Sequence, residues 1–230
     1  MFALTPEEWQ AVRLSLAVAA NAIAMGLPAA IVASLLLRWR NMPGRTILNI
    51  VVHLPLVLPP VVVGWLLLVV FGLRGYVGQF LHEWFGVRLV FTATGAALAC
   101  AVMTFPLMVR AIRLSLDAVD AGLEEAAGTL GAGAVDRFFT VTLPLMLPGV
   151  ISGAIMGYAA SLGEFGAVIT FASNVPGQTQ TLPLAIFAAL QTPGGEAAAA
   201  RLALISIVLA VAGLLAGEWF GRWSGKRLQS

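Results

Sequence analysis

Five long stretches of this sequence contain neither lysine nor arginine and are almost entirely apolar. They are Leu14–Leu37, Ile47–Gly72, Leu89–Val109, Leu143–Phe171 and Leu202–Gly221. A helix needs about 20 apolar residues to cross the hydrocarbon core of a bilayer, and each stretch is long enough. Lipid cannot satisfy backbone amides, and the alternation typical of barrel strands is not visible. The sequence therefore predicts an all-α polytopic membrane helix bundle with five transmembrane helices.

Composition excludes most soluble classes of protein. Charged residues make up 10% of the 230 residues and hydrophobic residues 60%, whereas a soluble domain carries roughly 25% charged residues. A net charge of +2 without a basic patch gives no indication of nucleic-acid binding. The single cysteine excludes an internal disulfide and a cysteine metal cage. We expect residues 1–230 to form a single transmembrane domain in lipid, with no metal site.

The basic residues in the connections predict the orientation of the bundle. Nine lysines and arginines lie in segments 38–46, 110–142 and 222–230, against four in the opposite set of connections. Cytoplasmic connections are the richer in such residues, so the N-terminus is predicted outside and the C-terminus in the cytoplasm. A further apolar stretch, 182–190, is too short to span the membrane, and we expect a re-entrant or interfacial helix on the outer side.

The longest predicted cytoplasmic connection is 110–142, and its residues 115–142 (the coupling segment) have the pattern of two short helices. Asp120 is a suitable N-cap, and Gly131 is suited to end the first helix. One face of that helix carries apolar and small residues at helical spacing, Leu123, Ala126, Ala127 and Leu130. A second stretch, 135–140, leads to Pro144 at the start of the next span. This pattern is consistent with a knob that docks into a partner protein and equally with an ordinary interfacial helix pair.

The same segment resembles the EAA motif of prokaryotic importer permeases of the ATP-binding cassette family. The resemblance is carried by Glu125-Ala126-Ala127, Gly131 and Val141-Thr142-Leu143-Pro144 at the family spacing. This chain has Val141 where the family has isoleucine. The resemblance implies that six residues couple the chain to an ATPase subunit: Glu125, Ala126, Ala127, Gly131, Leu143 and Pro144.

A narrower resemblance covers nearly the whole chain. Stretches 53–64, 105–114, 161–166 and 191–196 are similar to the molybdate importer permeases, whose sulfate and tungstate relatives share the EAA loop. This resemblance implies a permease subunit in the cytoplasmic (inner) membrane of a prokaryote that translocates molybdate. It implies a homodimer with two cytoplasmic ATPase subunits and an external molybdate-binding protein.

The chain itself lacks the residues for ATP hydrolysis. It has no Walker A sequence and one lysine, Lys226. We therefore expect that it is not an enzyme, that it binds no cofactor, and that ATP and Mg²⁺ are held by the partner subunits.

Glu164 is the only acidic or basic residue deep in a predicted span. A carboxylate there is costly in lipid and is expected to face protein or water. Flanked by Gly163 and Gly166, it is predicted to lie in the translocation pathway or its gate, with Pro59 and Pro60 as a second break in a helix. The alternative is a carboxylate that is hydrogen-bonded to backbone near a broken helix and has only structural value.

Two arginines follow the third span, Arg110 and Arg113. We interpret them as contacts for the anion in the inner vestibule, and anchoring by the positive-inside rule is the alternative.

Two other functions remain open from the sequence. Tungstate or sulfate could be carried by the same mechanism. An ion-coupled secondary anion carrier belongs to a different class and requires ionisable groups within the membrane, of which Glu164 is the single candidate. That class leaves the coupling segment without a role.

Overall fold

A computed structural model describes residues 4–39 and 41–227. Within those residues the regular elements are eleven α-helices and one π-helical turn, and the π-helical turn Phe138–Thr142 separates α7 from α8. The helices, in chain order α1 to α11, are Pro6–Arg38, Arg45–Val57, Pro60–Phe71, Tyr76–Phe85, Ala93–Asp117, Ala121–Thr129, Ala134–Arg137, Leu143–Leu162, Gly166–Ala172, Leu182–Leu190 and Glu196–Arg227.

The number of membrane-length helices agrees with the sequence. Four described helices are long and apolar enough to cross a membrane: α1, α5, the continuous helix Ala134–Leu162 and Glu196–Gly217 of α11. The pair α3–α4, bent by 48°, is a fifth candidate if it is counted as one span. The described part of the chain is thus a helical bundle with four to five candidate spans.

The predicted second span, 47–72, is divided at Pro59 and Pro60, where the sequence predicts a break in a helix. It consists of α2 and α3, and the backbone of Leu58 between them is extended, with ψ of 143°. Pro59 and Pro60 follow, and proline both lacks an amide donor and pushes the preceding residue out of the α region. The two consecutive prolines therefore end α2, and a new helix, α3, begins at Pro60.

The predicted fourth span, 143–171, is also divided. Helix α8 ends at Leu162 and α9 begins at Gly166. The short apolar stretch 182–190 forms α10 with the expected bounds.

The core is built around α5, which is rich in alanine. Its residues Ala96, Ala97 and Cys100 are fully buried. Glycines of α8 lie against its backbone, since a Cβ on Gly149 would stand 2.7 Å from the carbonyl oxygen of Ala111. Small residues let two helix backbones approach closely, and this close packing takes the place of a hydrophobic driving force in lipid.

Candidate coupling and translocation sites

The first half of the coupling segment folds as its sequence predicts. Asp120 caps α6, and its Oδ1 accepts a hydrogen bond from the amide of Gly122 at 2.8 Å. The helix ends at Thr129, and Gly131 has a φ of +89°. A glycine adopts this left-handed conformation without a steric penalty, so the predicted cap and the predicted end of the helix are both confirmed.

The apolar face of α6 is not covered by the rest of the described chain. Leu123 is 50% exposed and Leu130 88% exposed. Glu125 and Ala126 are exposed as well, while Ala127 is partly buried. Apolar side chains left open in a connection between spans are typical of a surface that binds another protein.

The second half of the segment continues this surface. Val135 is 72% exposed and Phe139 60% exposed, and the Phe138 and Phe139 rings make an edge-to-face contact at 5.2 Å. A Cβ on Gly128 of α6 would stand 3.3 Å from Nη1 of Arg137. The missing side chain at Gly128 therefore leaves room for the guanidinium, which joins α7 to α6 in one knob.

A single continuous helix connects the knob to the bundle. Residues Ala134–Leu162 run without a break through α7, the π-helical turn and α8. Leu143 packs against a core cluster of α1, α2, α5 and α8, whereas Pro144 is exposed in the first turn of α8. Because Pro144 needs no amide partner there, it does not interrupt the helix. The second half of the knob and α8 are thus parts of one helix.

Glu164 lies at the break between α8 and α9. Its Oε1 accepts a hydrogen bond from the amide of Ala167 at 2.9 Å, and its own amide donates to the carbonyl oxygen of Ser161. The carboxylate thus caps the first turn of α9 and is only partly buried. This geometry gives Glu164 the structural role of the alternative interpretation, a carboxylate hydrogen-bonded to backbone at a break between helices.

The break is packed against α3 through glycines on both sides. A Cβ on Gly166 would stand 2.7 Å from Cβ of Pro60, and one on Gly64 would stand 2.8 Å from the carbonyl oxygen of Ala167. The structure therefore brings Glu164, Gly163 and Gly166 next to the second break, where Pro59 and Pro60 are exposed. The residues predicted for the pathway form one cluster.

The structure separates this cluster from the coupling residues. Helix α8 has 20 residues, a length of about 30 Å at 1.5 Å per residue, and lies between Pro144 and Glu164. Of the two arginines predicted to meet the anion, Arg110 is exposed, whereas Arg113 is partly buried and lines a small polar cavity with Arg45, Thr46 and Asn49.

Two groups of residues at the ends of helices were not predicted from the sequence. Glu8 is buried, and its Oε1 accepts a hydrogen bond from Arg201 at 2.6 Å, which ties α1 to α11. The sequence Thr5-Pro6-Glu7-Glu8 does carry a signal, because Thr5 and Glu8 form a capping box at the start of α1. No local pattern indicates that Arg201 is the partner of Glu8, and none indicates the cavity at Arg45.

The chain matches a known protein family over most of its length. Residues 22–229 match the family described as binding-protein-dependent transport system inner membrane component. The chain is 57% identical over 224 residues to the molybdenum transport system permease protein ModB of Escherichia coli (strain K12), with 97% of this chain and 98% of that protein covered. It is 52% identical over 221 residues to ModB of Haemophilus influenzae, with 96% of each chain covered.

A solved structure shows the same fold at low sequence identity. A bacterial ABC transporter involved in the import of the acidic polysaccharide alginate superposes with a TM-score of 0.68 at 17% identity. The match covers 97% of this chain and 80% of that one.

Proposed function

The chain belongs to the binding-protein-dependent transport system inner membrane components, and from this membership we propose that it is the permease subunit of an ATP-binding cassette importer for molybdate. The proposed substrate rests on one observation, the 57% identity to a molybdenum permease over nearly the full length of both proteins. The chain is an integral inner-membrane transport subunit and not an enzyme. Its partners are an ATPase and a substrate-binding protein.

The assembly that we propose has two copies of this chain, two ATPase subunits and one external binding protein. The exposed knob of α6 and α7 supports the ATPase contact, because Leu123, Leu130 and Val135 have no cover within the described chain. Glu125 supplies an exposed charge in the middle of that surface. In this proposal ATP and Mg²⁺ are bound by the ATPase subunits, and the permease contributes Glu125, Ala126, Ala127, Gly131, Leu143 and Pro144 to the contact.

The proposed cycle follows from the continuous helix behind the knob. When ATP closes the ATPase dimer, the two knobs move together and each displaces its own helix Ala134–Leu162. The movement reaches the break at Glu164, where α9 and α3 form the gate around Gly166 and Pro60. A cavity of about 250 Å³ beside Gly163 leaves room between α8 and α11 for such a shift. Coupling here means that the outward and inward states are stabilised by different partner contacts.

The proposed pathway binds its anion weakly. The five apolar stretches contain no lysine or arginine, so a cationic clamp of the kind that holds an oxyanion tightly is not supplied by them. Weak binding suits transport, because an anion that is held tightly is released slowly. In this proposal the binding protein selects the anion and the permease supplies alternating access.

The deciding experiment measures ATP hydrolysis by this chain reconstituted in lipid with its ATPase subunit. We expect molybdate-loaded binding protein to stimulate hydrolysis, and empty or sulfate-loaded binding protein to leave it at the basal rate. Equal stimulation by the tungstate-loaded or sulfate-loaded form would keep the mechanism and broaden the substrate. If no complex with an ATPase forms, the coupling role of α6 is wrong, and uptake driven by an ion gradient becomes the function to test.

A further inference from the structure

A polar cavity between α2 and α5 is not used by the proposed transport mechanism. It has a volume of about 190 Å³ and is lined by Arg45, Thr46, Asn49 and Arg113. Three of these residues come from the first turns of α2, and the fourth lies one turn before the end of α5. The cavity is therefore at the same end of the bundle as the coupling segment, which follows α5 directly.

The two arginines of the cavity are held in place by other parts of the chain. Nε of Arg45 donates to the carbonyl oxygen of Leu37 at 2.9 Å, and Nη1 of Arg113 donates to Oδ1 of Asn49 at 3.3 Å. Each arginine is partly buried. Arginines that are already ordered lose less conformational freedom when they bind a ligand.

The donors of the cavity are not neutralised within the described chain. All four lining side chains can donate hydrogen bonds, and none is acidic. Nε of Arg113 is buried and has no hydrogen-bond partner. Asp117, one helical turn further along α5, forms no ion pair with Arg113 among the described residues. Burying a guanidinium N–H without an acceptor costs free energy, because its hydrogen bond to water is lost. An anion that accepts a hydrogen bond from this N–H removes that cost.

The first turn of α2 adds to the attraction for an anion. Its N-cap is Gly44, and no side chain caps the amides of this 13-residue helix. Uncapped amides and the helix dipole both favour a negative charge at this end.

From these observations we propose that Arg45, Thr46, Asn49 and Arg113 form a binding site for a tetrahedral oxyanion. The planar guanidinium forks of two arginines match phosphate geometry, and the Thr46 hydroxyl and Asn49 amide supply further donors. The source of the oxyanion is either the phosphate of an anionic phospholipid or a free ion. The exposed side chains of Ile47, Ile50 and Leu114 flank the cavity in sequence and offer apolar surface for acyl chains. The site requires neither transport nor an ATPase partner.

The test measures binding directly, so its outcome does not depend on the proposed transport function. The purified full chain in neutral detergent is titrated separately with phosphatidylglycerol, inorganic phosphate and sodium molybdate, and binding is followed by native mass spectrometry and thermal shift. Arg113→Gln should weaken binding of the recognised probe by about tenfold, the value for a lost charged hydrogen bond. The matched control is Arg88→Gln, which removes the same charge from an exposed position outside the cavity, and it should change binding less than twofold.

The outcomes separate the two sources. Binding of phosphatidylglycerol alone identifies a lipid headgroup site, and binding of phosphate or molybdate without lipid identifies a free-ion site. If Arg113→Gln does not fold, Thr46→Val at the exposed rim replaces it, with an expected loss of about threefold. Equal losses in the Arg113 and Arg88 variants, or no binding of any probe by the unmodified chain, would overturn the proposal.

Discussion

Two connecting segments of this chain each follow a membrane-length helix, yet one buries polar side chains and the other exposes apolar ones. The closing segment, residues 163–181, buries Thr179 and Thr181. The coupling segment, residues 115–142, leaves Leu123, Leu130 and Phe139 exposed. The described chain covers these polar side chains of the first segment, whereas it leaves the apolar side chains of the second uncovered.

The hydrogen bonds of the closing segment explain its compactness. The hydroxyl of Thr179 accepts from the amide of Val175 at 3.0 Å and donates to the carbonyl oxygen of Ser173 at 3.1 Å. Nε2 of Gln180 donates to Oδ1 of Asn174 at 3.0 Å. These bonds hold Ser173 at a φ of +66°, a conformation that non-glycine residues rarely adopt. Hydrogen bonds within the chain thus order the closing segment, whereas the coupling segment leaves apolar side chains exposed on the described chain.

The strongest test of this contrast reverses the charge of Glu125. Because like-charge contacts at an interface cost several kcal/mol, Glu125→Lys should lower molybdate uptake by about 100-fold or more while membrane insertion stays intact. The measurement is uptake into proteoliposomes together with co-purification of the ATPase. Glu83→Lys, which is exposed on α4 outside the coupling segment, is the matched control and should retain uptake. Normal uptake by the Glu125 variant would remove this residue from the coupling contact.

Two threonine variants measure how much the hydrogen bonds of the closing segment contribute to the free energy of unfolding. Thr179→Val keeps the shape but leaves the partly buried amide of Val175 and carbonyl of Ser173 without their partner, and we expect a loss of about 2 kcal/mol in the free energy of unfolding. Thr129→Val removes an exposed hydroxyl that donates to the carbonyl oxygen of Ala126 and should cost less than about 0.5 kcal/mol. Denaturant unfolding in detergent compares the two. Equal losses would show that the contrast between the segments does not extend to stability.

Glu164 tests whether the closing segment has a role beyond structure. In Glu164→Gln the amide oxygen can still accept from Ala167, so folding should be unchanged, while loss of the charge should lower uptake by about tenfold. Glu164→Ala also removes the cap of α9 and should cost about 1 kcal/mol of stability in addition. Uptake rates and thermal unfolding of both variants separate the two roles. Unimpaired uptake by the glutamine variant would leave only the structural role.

The smallest effect is expected at the glycine bend of the coupling segment. Gly131→Ala places a Cβ on a residue with a φ of +89° and should cost about 1 kcal/mol of local stability. Gly133, two residues later, is the N-cap of α7 with an ordinary φ of −68° and open space around it, so Gly133→Ala should cost only the weaker capping of alanine, less than Gly131→Ala. Hydrogen exchange of residues 121–131 reports local opening and checks the difference. Equal exchange in the two variants would show that the left-handed bend does not limit this segment.

Sequence reasoning succeeded where the controlling interactions are local. Asp120 and Gly131 start and end α6 as predicted, because a cap involves residues only a few positions apart. The break at Pro59 and Pro60 is local in the same way: hydropathy indicates one span over 47–72, and the two prolines divide it into two helices. Total hydropathy is insensitive to a backbone break, although the consecutive prolines carried that signal.

The sequence by itself determined the class of the protein, its apolar segments and the position of the coupling motif, because lipid demands helices of a set length and caps act locally. Only the tertiary structure decided which distant residues meet. Gly166 lies against Pro60, Arg201 reaches Glu8, and Arg113 joins Arg45 around a cavity. These pairings depend on which helix faces carry small residues and approach closely, and such faces are matched only when the whole bundle packs.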